Sequence, residues 1–419
     1  MNILIIELKS GGHYPIYLRW IAEGAIRYGH NVIVAASHRC LSHPHISTLK
    51  DEHPDLKWIV VDNEQVKPGL FRSLAPSLQY KLGHHANLKQ IFRRARQQYE
   101  IDQVFVPYID SLFKGVALFG SPFGSVSWSG IMMRGSFHFK DMGIQAPNTS
   151  FGWIKKQIFL RALGIPTLKH VYTIDESLYQ YMSTALPSLS HSSIRYLPDP
   201  VEIRGSITRS EARRQLGIPE DVPLVLVYGG LMPRKGILSL IRAVTENGAC
   251  SQMHVLLAGK QGRRLEVQLE SDEHVATLKA QGRLHELKYF IKSEEECCVF
   301  RAADIVWVGY EGHFWMSGVL VLAGIMDVPV IGCSEGVIGW WIRNHHVGIC
   351  FQSPSSASIG EALRKLITEK SSFGDPERAA SFARDHSIAH AQEVLFSEGS
   401  SDRVGSTCIA GMACQRNPL

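Results

Sequence analysis

The chain has 419 residues, 45% of them apolar and 20% charged, so we expect an ordinary folded protein with two domains, since this length exceeds one usual core. Its formal net charge of +5 argues against nucleic-acid binding as the main activity. The eight cysteines show no paired C-x-x-C spacing, which predicts neither a zinc site nor a disulfide framework.

The chain opens with a strand, a helix and a second strand. Residues 2–6 form a near-continuous apolar run, typical of a parallel strand covered on both faces. A helix-period segment follows at residues 14–27, and glycine ends it before an apolar run at 32–36. This order predicts one βαβ unit.

The loop after the first strand carries candidate site residues. Gly11 and Gly12 allow the backbone to pass close to a ligand, and His13 stands where a side chain could reach a cleft between domains. A glycine turn with a satisfied histidine is an equally ordinary reading. The G-x-G-x-x-G fingerprint is absent, so a dinucleotide site is not expected here.

The rest of the first half alternates strands with helical segments. The predicted strands lie at residues 58–61, 103–107, 124–128 and 170–174. Such alternation predicts a doubly wound parallel sheet, in a domain over residues 1–200. The polar stretch at 198–214 is interpreted as a linker.

A second domain is predicted over residues 201–375 with the same βαβ texture. Its strands are predicted at 222–228, 254–258, 289–291, 305–308 and 328–332, and its helices at 237–244, 266–280, 294–303 and 318–326. Residues 376–397 are predicted as a helical segment that could return to the first domain. Residues 398–419 are predicted to form a flexible tail.

Two helix starts in the second domain could bind an anion. Arg234 and Lys235 lie between a strand end and a helix start, where cations and helix N-termini together neutralise a diphosphate. Ser317 and Gly318 stand at a second helix start, although they could equally be a plain cap and a close-packing glycine. With no Asp-x-Asp pair in view, we expect a metal-independent site without a cofactor.

With these residues placed, the chain resembles a retaining glycosyltransferase of the GT-B fold, close to glycosyltransferase family 4. The matching parts span most of the chain: GGH at 11–13, YTIDESLYQYM at 172–182, YLPDP at 196–200, GGLMPRKG at 229–236, LLAGKQG at 256–262, FRAADIVWVGY at 300–310 and SGVLVLAGIMDVPVIG at 317–332. The resemblance implies two doubly wound Rossmann-like domains facing each other across a cleft.

The resemblance also suggests roles for individual residues. Donor binding is expected at Gly229, Gly230, Arg234, Lys235, Gly259, Lys260, Ile291, Ser317, Gly318 and Val319. Catalytic candidates are His13, Glu311 and His313, and acceptor-side candidates are Gly11, Gly12, Ser129 and Arg134.

The sequence departs from the family pattern at the donor site. Members commonly have an arginine where this chain has Gly230, and a pair of glutamates separated by seven residues where it has Phe314 and Leu322. Glu311 and His313 are the nearest polar residues that could take over contacts with the sugar. A histidine expected after a central strand of the first domain is replaced by the Trp-Ser-Gly sequence that contains Ser129.

The leading hypothesis is a hexosyltransferase that moves a sugar from a nucleotide-diphosphate donor to an acceptor hydroxyl, with retention, in polysaccharide, glycolipid or small-molecule glycoside synthesis. The leaving diphosphate would be stabilised by Arg234, Lys235 and the helix end. Two alternatives stay open: a nucleotide-sugar epimerase or phosphorylase of the same fold, and a non-catalytic scaffold protein, which the missing glutamates favour.

The acceptor is expected to be a saccharide, a lipid-linked molecule or a small molecule. Residues 88–99 and 151–163 combine cations with apolar and aromatic residues, which could rest on an anionic membrane or simply pack as amphipathic helices. The longest apolar stretch is too short for a membrane span, and Glu7 interrupts what would be a signal peptide. We therefore expect a cytoplasmic protein, with peripheral contact at the inner membrane face as an option.

Overall fold

The computed structural model describes residues 1–61, 76–147, 151–186, 194–369 and 373–397. The predicted tail at 398–419 lies outside these residues. The chain forms two compact units: the first contains Met1–Ile131, Arg161–Tyr172 and the described part of Ile388–Leu419, and the second contains Met132–Leu160 and Thr173–Ser387. The units therefore interleave along the chain, whereas the predicted ranges 1–200, 201–375 and 376–397 are consecutive.

A seven-stranded sheet forms from the first half of the described chain. Its strands are β1 (Asn2–Glu7), β2 (Asn31–Ser37), β3 (Lys57–Val61), β4 (Gln103–Val106), β5 (Ser127–Met132), β6 (Leu168–Thr173) and β7 (Ile194–Tyr196). Their order is β3-β2-β1-β4-β5-β6-β7. β1 is central and parallel to both neighbours, with Ile5 opposite Val34 of β2 and Phe105 of β4. Its apolar side chains are buried, as its continuous apolar run requires.

The helices of this half connect the strands. They are α1 (Tyr14–Arg27), α2 (His38–Leu41), α3 (Pro44–Glu52), α4 (Pro76–Arg96), α5 (Phe113–Phe119), α6 (Gly152–Leu163) and α7 (Glu176–Ala185). α1 has the predicted bounds, because its apolar stripe packs on β1 and β2. The described end of the chain, α17 (Ile388–Phe396), packs on α1, where Gln392 Nε2 donates to the Trp20 carbonyl at 2.9 Å.

A six-stranded parallel sheet forms from the second half of the described chain. Its strands are β8 (Leu224–Tyr228), β9 (His254–Ala258), β10 (Leu284–Leu287), β11 (Ile305–Val308), β12 (Val330–Cys333) and β13 (Gly348–Phe351). They are ordered β10-β9-β8-β11-β12-β13. All residues of β8, β9 and β11 are buried, as expected for central strands covered on both faces.

Helices cover this second sheet. They are α8 (Arg209–Leu216), α9 (Ile237–Glu246), α10 (Arg263–Ser271), α11 (Glu273–Ala280), α12 (Ser293–Ala302), α13 (Gly318–Ile325), α14 (Gly336–His345), α15 (Ser356–Thr368) and α16 (Pro376–Asp385). The prediction of two Rossmann-like α/β folds is confirmed by these two sheets and their helices.

Two strand predictions need correction. The strand predicted at 124–128 is shifted: β5 continues to Met132, and Gly130 permits this because a Cβ there would lie 2.4 Å from Ile109 and 2.5 Å from the Val106 carbonyl oxygen. The strand predicted at 289–291 is wrong. The observed strand is β10, a half-buried Leu-His-Glu-Leu segment at the sheet edge.

One predicted helix and the predicted linker are wrong, because polar side chains cap helices there. The helix predicted at 266–280 is two helices, because the Asp272 side chain accepts from the backbone N–H groups of His274 and Val275 and so starts α11. The predicted linker at 198–214 contains most of α8. Thr208 and Glu211 form a capping box there, and Arg213 is fully buried.

Candidate functional site

The candidate donor site lies at the carboxyl ends of the second sheet's central strands. The order β10-β9-β8-β11-β12-β13 reverses direction between β8 and β11, and open α/β sheets bind ligands outside the strand ends at such a switch point. The loops after β8, β9 and β11 carry most of the predicted donor-binding residues.

Two glycines of the first two loops have backbone conformations that favour glycine, and at Gly259 the backbone also passes too close for a side chain. Gly229 has φ of 96° and Gly259 has φ of 141°, values that side chains disfavour. A Cβ on Gly259 would lie 2.0 Å from the Gly229 carbonyl oxygen, so only glycine fits. Gly230 is exposed with open space around its Cα. Lys260 is also exposed, and its carbonyl accepts the Leu231 N–H at 3.0 Å.

Lys235 is a buried cation at the switch point. Its side chain is only 6% exposed, and Nζ donates to the Tyr228 carbonyl at 2.6 Å and to the Tyr310 hydroxyl at 3.0 Å. Within the described part of the chain, no carboxylate oxygen lies within ion-pair distance of this ammonium group. A buried charge is costly without a counter-ion, so the position is suited to an incoming anion.

Arg234 joins the loop after β8 to the loop after β11. Its Nη1 donates to His313 Nδ1 at 3.1 Å, and its carbonyl accepts the Glu311 N–H at 2.8 Å. His313 Nε2 in turn lies 3.3 Å from the Met316 carbonyl, so the ring is a neutral tautomer that accepts at Nδ1. Burial lowers the pKa of His313, and the nearby positive charge of Arg234 lowers it further. Nδ1 therefore contacts Arg234 in the loop after β8, and Nε2 contacts Met316 in the loop after β11.

Glu311 is exposed, and its Oε1 accepts from the Ser239 hydroxyl at 2.7 Å. A catalytic role for Glu311 or His313 stays a prediction. Their contacts hold the loop after β11 against the loop after β8.

The start of α13 differs from the prediction in one respect. Ser317 occupies the N-cap position, but its side chain makes no capping bond and instead donates to the Tyr310 hydroxyl at 3.3 Å. Ser317 therefore does not cap the first backbone N–H groups of α13, at Gly318 and Val319. An Asp199 carboxylate oxygen lies 3.6 Å from where a Cβ on Gly318 would stand. Asp199 was not among the predicted site residues, although it lies in the YLPDP sequence that carries the family resemblance.

Three other positions of the donor region face the core. Ile291 is 5% exposed, and its side chain packs in the hydrophobic core. Its predicted contact with the donor stays a prediction. Leu322 is 7% exposed in the same core, and Phe314 packs partly buried against it. Neither position where the family commonly has glutamate offers a polar group here.

Arg134 lies in the second unit. Its guanidinium carbon stands 5.4 Å from the centre of the Trp315 ring, in the loop after β11. Cations stack on tryptophan in this way, so Arg134 is positioned beside the same loop as His313. Its predicted role on the acceptor side is untested.

The other acceptor-side candidates and His13 lie in the first unit. Gly11, Gly12 and His13 are exposed after β1, and Gly12 has φ of 63°, which favours glycine. The His13 carbonyl starts α1 by accepting the Tyr17 N–H at 3.1 Å. Ser129 is 1% exposed inside β5, so its side chain is not open to solvent.

A cluster of polar residues that was not predicted from the sequence lies at the end of β1. It contains Glu7, Lys9, His84 and Tyr108, and lines a cavity of about 120 Å³. In the sequence, Glu7 directly follows the apolar run of the first strand. That position was the one indication that its carboxyl group is buried.

The described residues show neither a metal-binding cluster nor a helix suited to cross a membrane. No three His, Cys, Asp or Glu side chains in these ranges come together as a metal site, and metal independence stays a prediction. No helix within the same ranges combines the length and apolar character needed to cross a bilayer.

Comparisons with known proteins identify relatives of this fold. No family model matches the chain. A D-inositol 3-phosphate glycosyltransferase from Stackebrandtia nassauensis is 26% identical over 218 residues, which cover 50% of this chain and 46% of the relative. The chain thus spans about half the length of the curated relatives that it matches.

Solved structures match over nearly the whole chain. HepE from Anabaena in complex with UDP-glucose superposes with a TM-score of 0.62 at 16% identity, covering 94% of this chain and 98% of HepE. A glycosyltransferase from Rickettsia africae gives a TM-score of 0.62 at 14% identity, covering 94% and 98%. At this identity the likeness establishes the fold, which is the GT-B type predicted from the sequence.

Proposed function

We propose that the protein is a metal-independent glycosyltransferase, related to family 4, that transfers a sugar with retention from a nucleotide-diphosphate donor to an acceptor hydroxyl. The support comes from two sources. The matched relative in Stackebrandtia is a glycosyltransferase, and the structure of HepE holds UDP-glucose on the same fold.

The observation that carries the proposal is the buried ammonium of Lys235, which has no carboxylate partner among the residues that the structure describes. It stands at the switch point of the second sheet, between β8 and the loop after β11, with two of its three N–H donors used by Tyr228 and Tyr310. A diphosphate would supply the missing negative charge and accept the third donor. The same group could stabilise charge on the leaving diphosphate during transfer.

Neighbouring groups would complete the anion site. Arg234 is exposed and is oriented by its contact with the neutral His313 ring. The start of α13, which the Ser317 side chain does not cap, adds backbone N–H groups and the positive end of a helix dipole. With no protein nucleophile assigned, the acceptor hydroxyl would attack on the face that the diphosphate leaves, and a donor phosphate oxygen would take its proton.

One observation favours a second candidate, the non-catalytic scaffold. Phe314 and Leu322 replace the glutamates that the family commonly uses, and Leu322 is buried in the core. Without an anchor for the donor ribose, a protein of this fold could keep its shape and lose its affinity for donors.

A thermal-shift screen of nucleotide sugars tests the proposal against this alternative. A ligand that binds the folded state raises the melting temperature by mass action. The proposal expects at least one nucleotide-diphosphate sugar to raise it in EDTA as well as without chelator. If UDP, GDP, ADP, CDP and dTDP sugars all leave the melting temperature unchanged, the scaffold becomes the better reading.

We also propose peripheral contact with an anionic membrane through α6. Phe151 and Trp153 are 63% and 72% exposed, Ile154 is 43% exposed, and the exposed Lys155 is adjacent. Large apolar groups beside cations are typical of helices that lie on anionic lipid. The other candidate stretch lacks this feature, because the apolar residues Leu88, Ile91 and Phe92 of α4 are buried.

Vesicle sedimentation tests the membrane contact. The wild type should sediment with anionic but not neutral vesicles, and less at higher salt because screening weakens the attraction. Trp153→Ser with Lys155→Glu should abolish this binding. Leu118→Ser, at a 62% exposed apolar position on α5, is the matched control and should leave it intact. Equal binding by all three proteins would remove α6 from the proposal.

A further inference from the structure

Tyr310 lies two residues beyond β11 and contacts both Lys235 and Ser317 through its hydroxyl. It is 6% exposed, and its hydroxyl oxygen lies 3.0 Å from Lys235 Nζ and 3.3 Å from Ser317 Oγ. The same ammonium group stands 4.6 Å from the centre of the Tyr310 ring, a distance at which a cation is attracted to the face of an aromatic ring. One side chain therefore contacts the buried ammonium of Lys235 with both its ring and its hydroxyl.

The chemistry of the two groups sets the direction of the hydrogen bond between Lys235 and Tyr310. An ammonium group only donates, so the Tyr310 oxygen accepts from Lys235. The Tyr228 carbonyl is the other acceptor of this ammonium among the residues that the structure describes. Without the Tyr310 hydroxyl, a long and flexible side chain would be held at its charged end by one hydrogen bond instead of two.

Ser317 contacts the Tyr310 hydroxyl in place of capping α13. Its backbone is extended, with φ of −134° and ψ of 124°, the conformation from which serine normally caps a helix. The Ser317 hydroxyl nevertheless makes no capping bond and donates to the Tyr310 hydroxyl. Because a serine cap normally stabilises a helix, this contact replaces one that α13 would otherwise have. It adds a second partner to the Tyr310 hydroxyl beside Lys235.

The backbone of Lys235 is held independently of the Tyr310 side chain. The fully buried Trp307 donates from Nε1 to the Lys235 carbonyl at 2.7 Å. A Cβ on the next residue, Gly236, would lie 2.3 Å from the Gly309 carbonyl oxygen, so the loops after β8 and β11 are in close contact there. Loss of the Tyr310 hydroxyl should therefore release the Lys235 ammonium without moving its backbone.

We propose that Tyr310 is a positioning residue for diphosphate binding: its hydroxyl fixes the Lys235 ammonium at the switch point and leaves the third N–H for the anion. A side chain that is already held in place loses less conformational freedom when a ligand arrives, so the affinity is higher. Identification of the anion as the diphosphate of a sugar donor rests on the proposed function, whereas the positioning of Lys235 does not.

A double-mutant cycle between Tyr310→Phe and Lys235→Met tests this role by isothermal titration of UDP. Phenylalanine keeps the ring beside the ammonium and removes only the hydroxyl. Tyr310→Phe should weaken UDP binding about fivefold where Lys235 is present, and less than about twofold in Lys235→Met, which has no ammonium to position. All four proteins carry Ser317→Ala, so that a freed serine hydroxyl cannot cap α13 and compete with the anion. A residue that only stabilises the fold would weaken binding equally in both backgrounds.

Tyr181→Phe is the matched control, measured in the same Ser317→Ala background. Tyr181 is 4% exposed in the same unit, and its ring and hydroxyl both contact the Lys156 ammonium. Its substitution should leave UDP affinity unchanged. Equal affinities in Tyr310→Phe and Tyr181→Phe, or a loss from Tyr310→Phe that is as large in Lys235→Met as in its presence, would overturn the proposal.

Crystal structures of unliganded wild type and Tyr310→Phe separate this inference from the proposed function, because they need no nucleotide. The Lys235 ammonium should have one position in the wild type and several in Tyr310→Phe. If it keeps its wild-type position, the positioning role falls even where UDP binds. If neither UDP nor inorganic pyrophosphate binds the wild type while the ammonium moves in Tyr310→Phe, the transferase proposal falls and the positioning of Lys235 stands.

Discussion

Replacement of Lys235 by methionine should separate donor binding from stability. The ammonium group donates to Tyr228 and Tyr310 and has one N–H left for an incoming phosphate oxygen. A charged hydrogen bond contributes about 1.5 to 3 kcal/mol, so its loss should weaken nucleoside-diphosphate binding roughly 10- to 150-fold. Methionine keeps the length of the side chain and removes only the charge and its donors.

The free energy of unfolding of the unliganded protein should not fall in Lys235→Met. Methionine removes the donor to the Tyr228 carbonyl and one of the two donors to the Tyr310 hydroxyl, which keeps the Ser317 bond, at a cost of about 1 to 3 kcal/mol. It also removes a buried charge whose desolvation costs several kcal/mol. The two effects largely cancel, so the free energy of unfolding should stay the same or rise. A residue that only stabilises the fold would show a clear loss instead.

The assay is isothermal titration of UDP, followed by thermal unfolding with and without UDP. Lys365→Met is the control, because Lys365 is exposed on α15 and its loss changes the net charge equally. The expected pattern is weak binding in Lys235→Met alone, with an unliganded melting temperature at or above that of the wild type. Wild-type UDP affinity in Lys235→Met would refute the phosphate role of this residue.

Further outcomes are expected at other positions. Glu7 has a folded-state pKa of about 7 against 4.5 in the unfolded chain, so the stability that it contributes below pH 4.5 is lost as pH rises through 7. Relative to Glu7→Gln, the wild type should lose on the order of 3 kcal/mol of unfolding free energy between pH 4.5 and 8, and parallel urea-denaturation curves across that range would contradict this. Lys9, Tyr80 and His84 face the same cavity, and the comparison with Glu7→Gln cancels their own titrations. Turnover should be unaffected by EDTA, and a loss that added metal restores would contradict metal independence. Arg213→Met should lower the free energy of unfolding by about 3 to 5 kcal/mol in urea. It removes the 2.7 Å ion pair with the Asp304 carboxylate, which keeps Arg209 as its cationic partner, and it leaves the Ala302 and Val222 carbonyls without their Arg213 donor. A change within 0.5 kcal/mol, roughly the surface value, would be inconsistent with this reasoning.

The central strands could be predicted because burial on both faces leaves a direct trace in the sequence. β1, β8, β9 and β11 are continuous apolar runs between breakers, and their bounds agree with the structure within two residues. β10 has no such apolar run, because it is a half-buried strand at the edge of the sheet. Its Leu-His-Glu-Leu sequence mixes polar and apolar residues, whereas the neighbouring Tyr-Phe-Ile sequence is apolar and was predicted as the strand.

Buried polar residues are the main reason why the rest could not be predicted. Arg213 sits in a stretch that reads as a solvated linker, yet it is fully buried and bonded to Asp304 and to the carbonyls of Ala302 and Val222. Composition cannot tell a buried arginine from an exposed one, because the partners come from distant strands. Glu7 was missed as a site residue for the same reason: its cavity forms only when α4 covers the end of β1.

In the candidate donor site, the sequence located the loops but not their contacts. The GGLMPRKG pattern placed Lys235 at a strand end, where the structure has it, because glycines and cations before an apolar helix are visible in sequence. Tyr310 was not predicted. It joins Lys235 to Ser317 through its hydroxyl, so the Ser317 side chain does not make the capping bond that was one of its two predicted roles.

Transfer of a sugar by this protein can be measured by incubating nucleotide-diphosphate sugars, including UDP-glucose, with purified protein and a panel of sugar and polyol acceptors. Proton NMR of the reaction identifies both the new glycoside and the configuration at its anomeric carbon. We expect release of the nucleoside diphosphate together with a glycoside of retained configuration, at a rate sharply reduced in Lys235→Met and unchanged in Lys365→Met. An isomerised nucleotide sugar formed without acceptor, an inverted glycoside, or intact donor under every condition would contradict it.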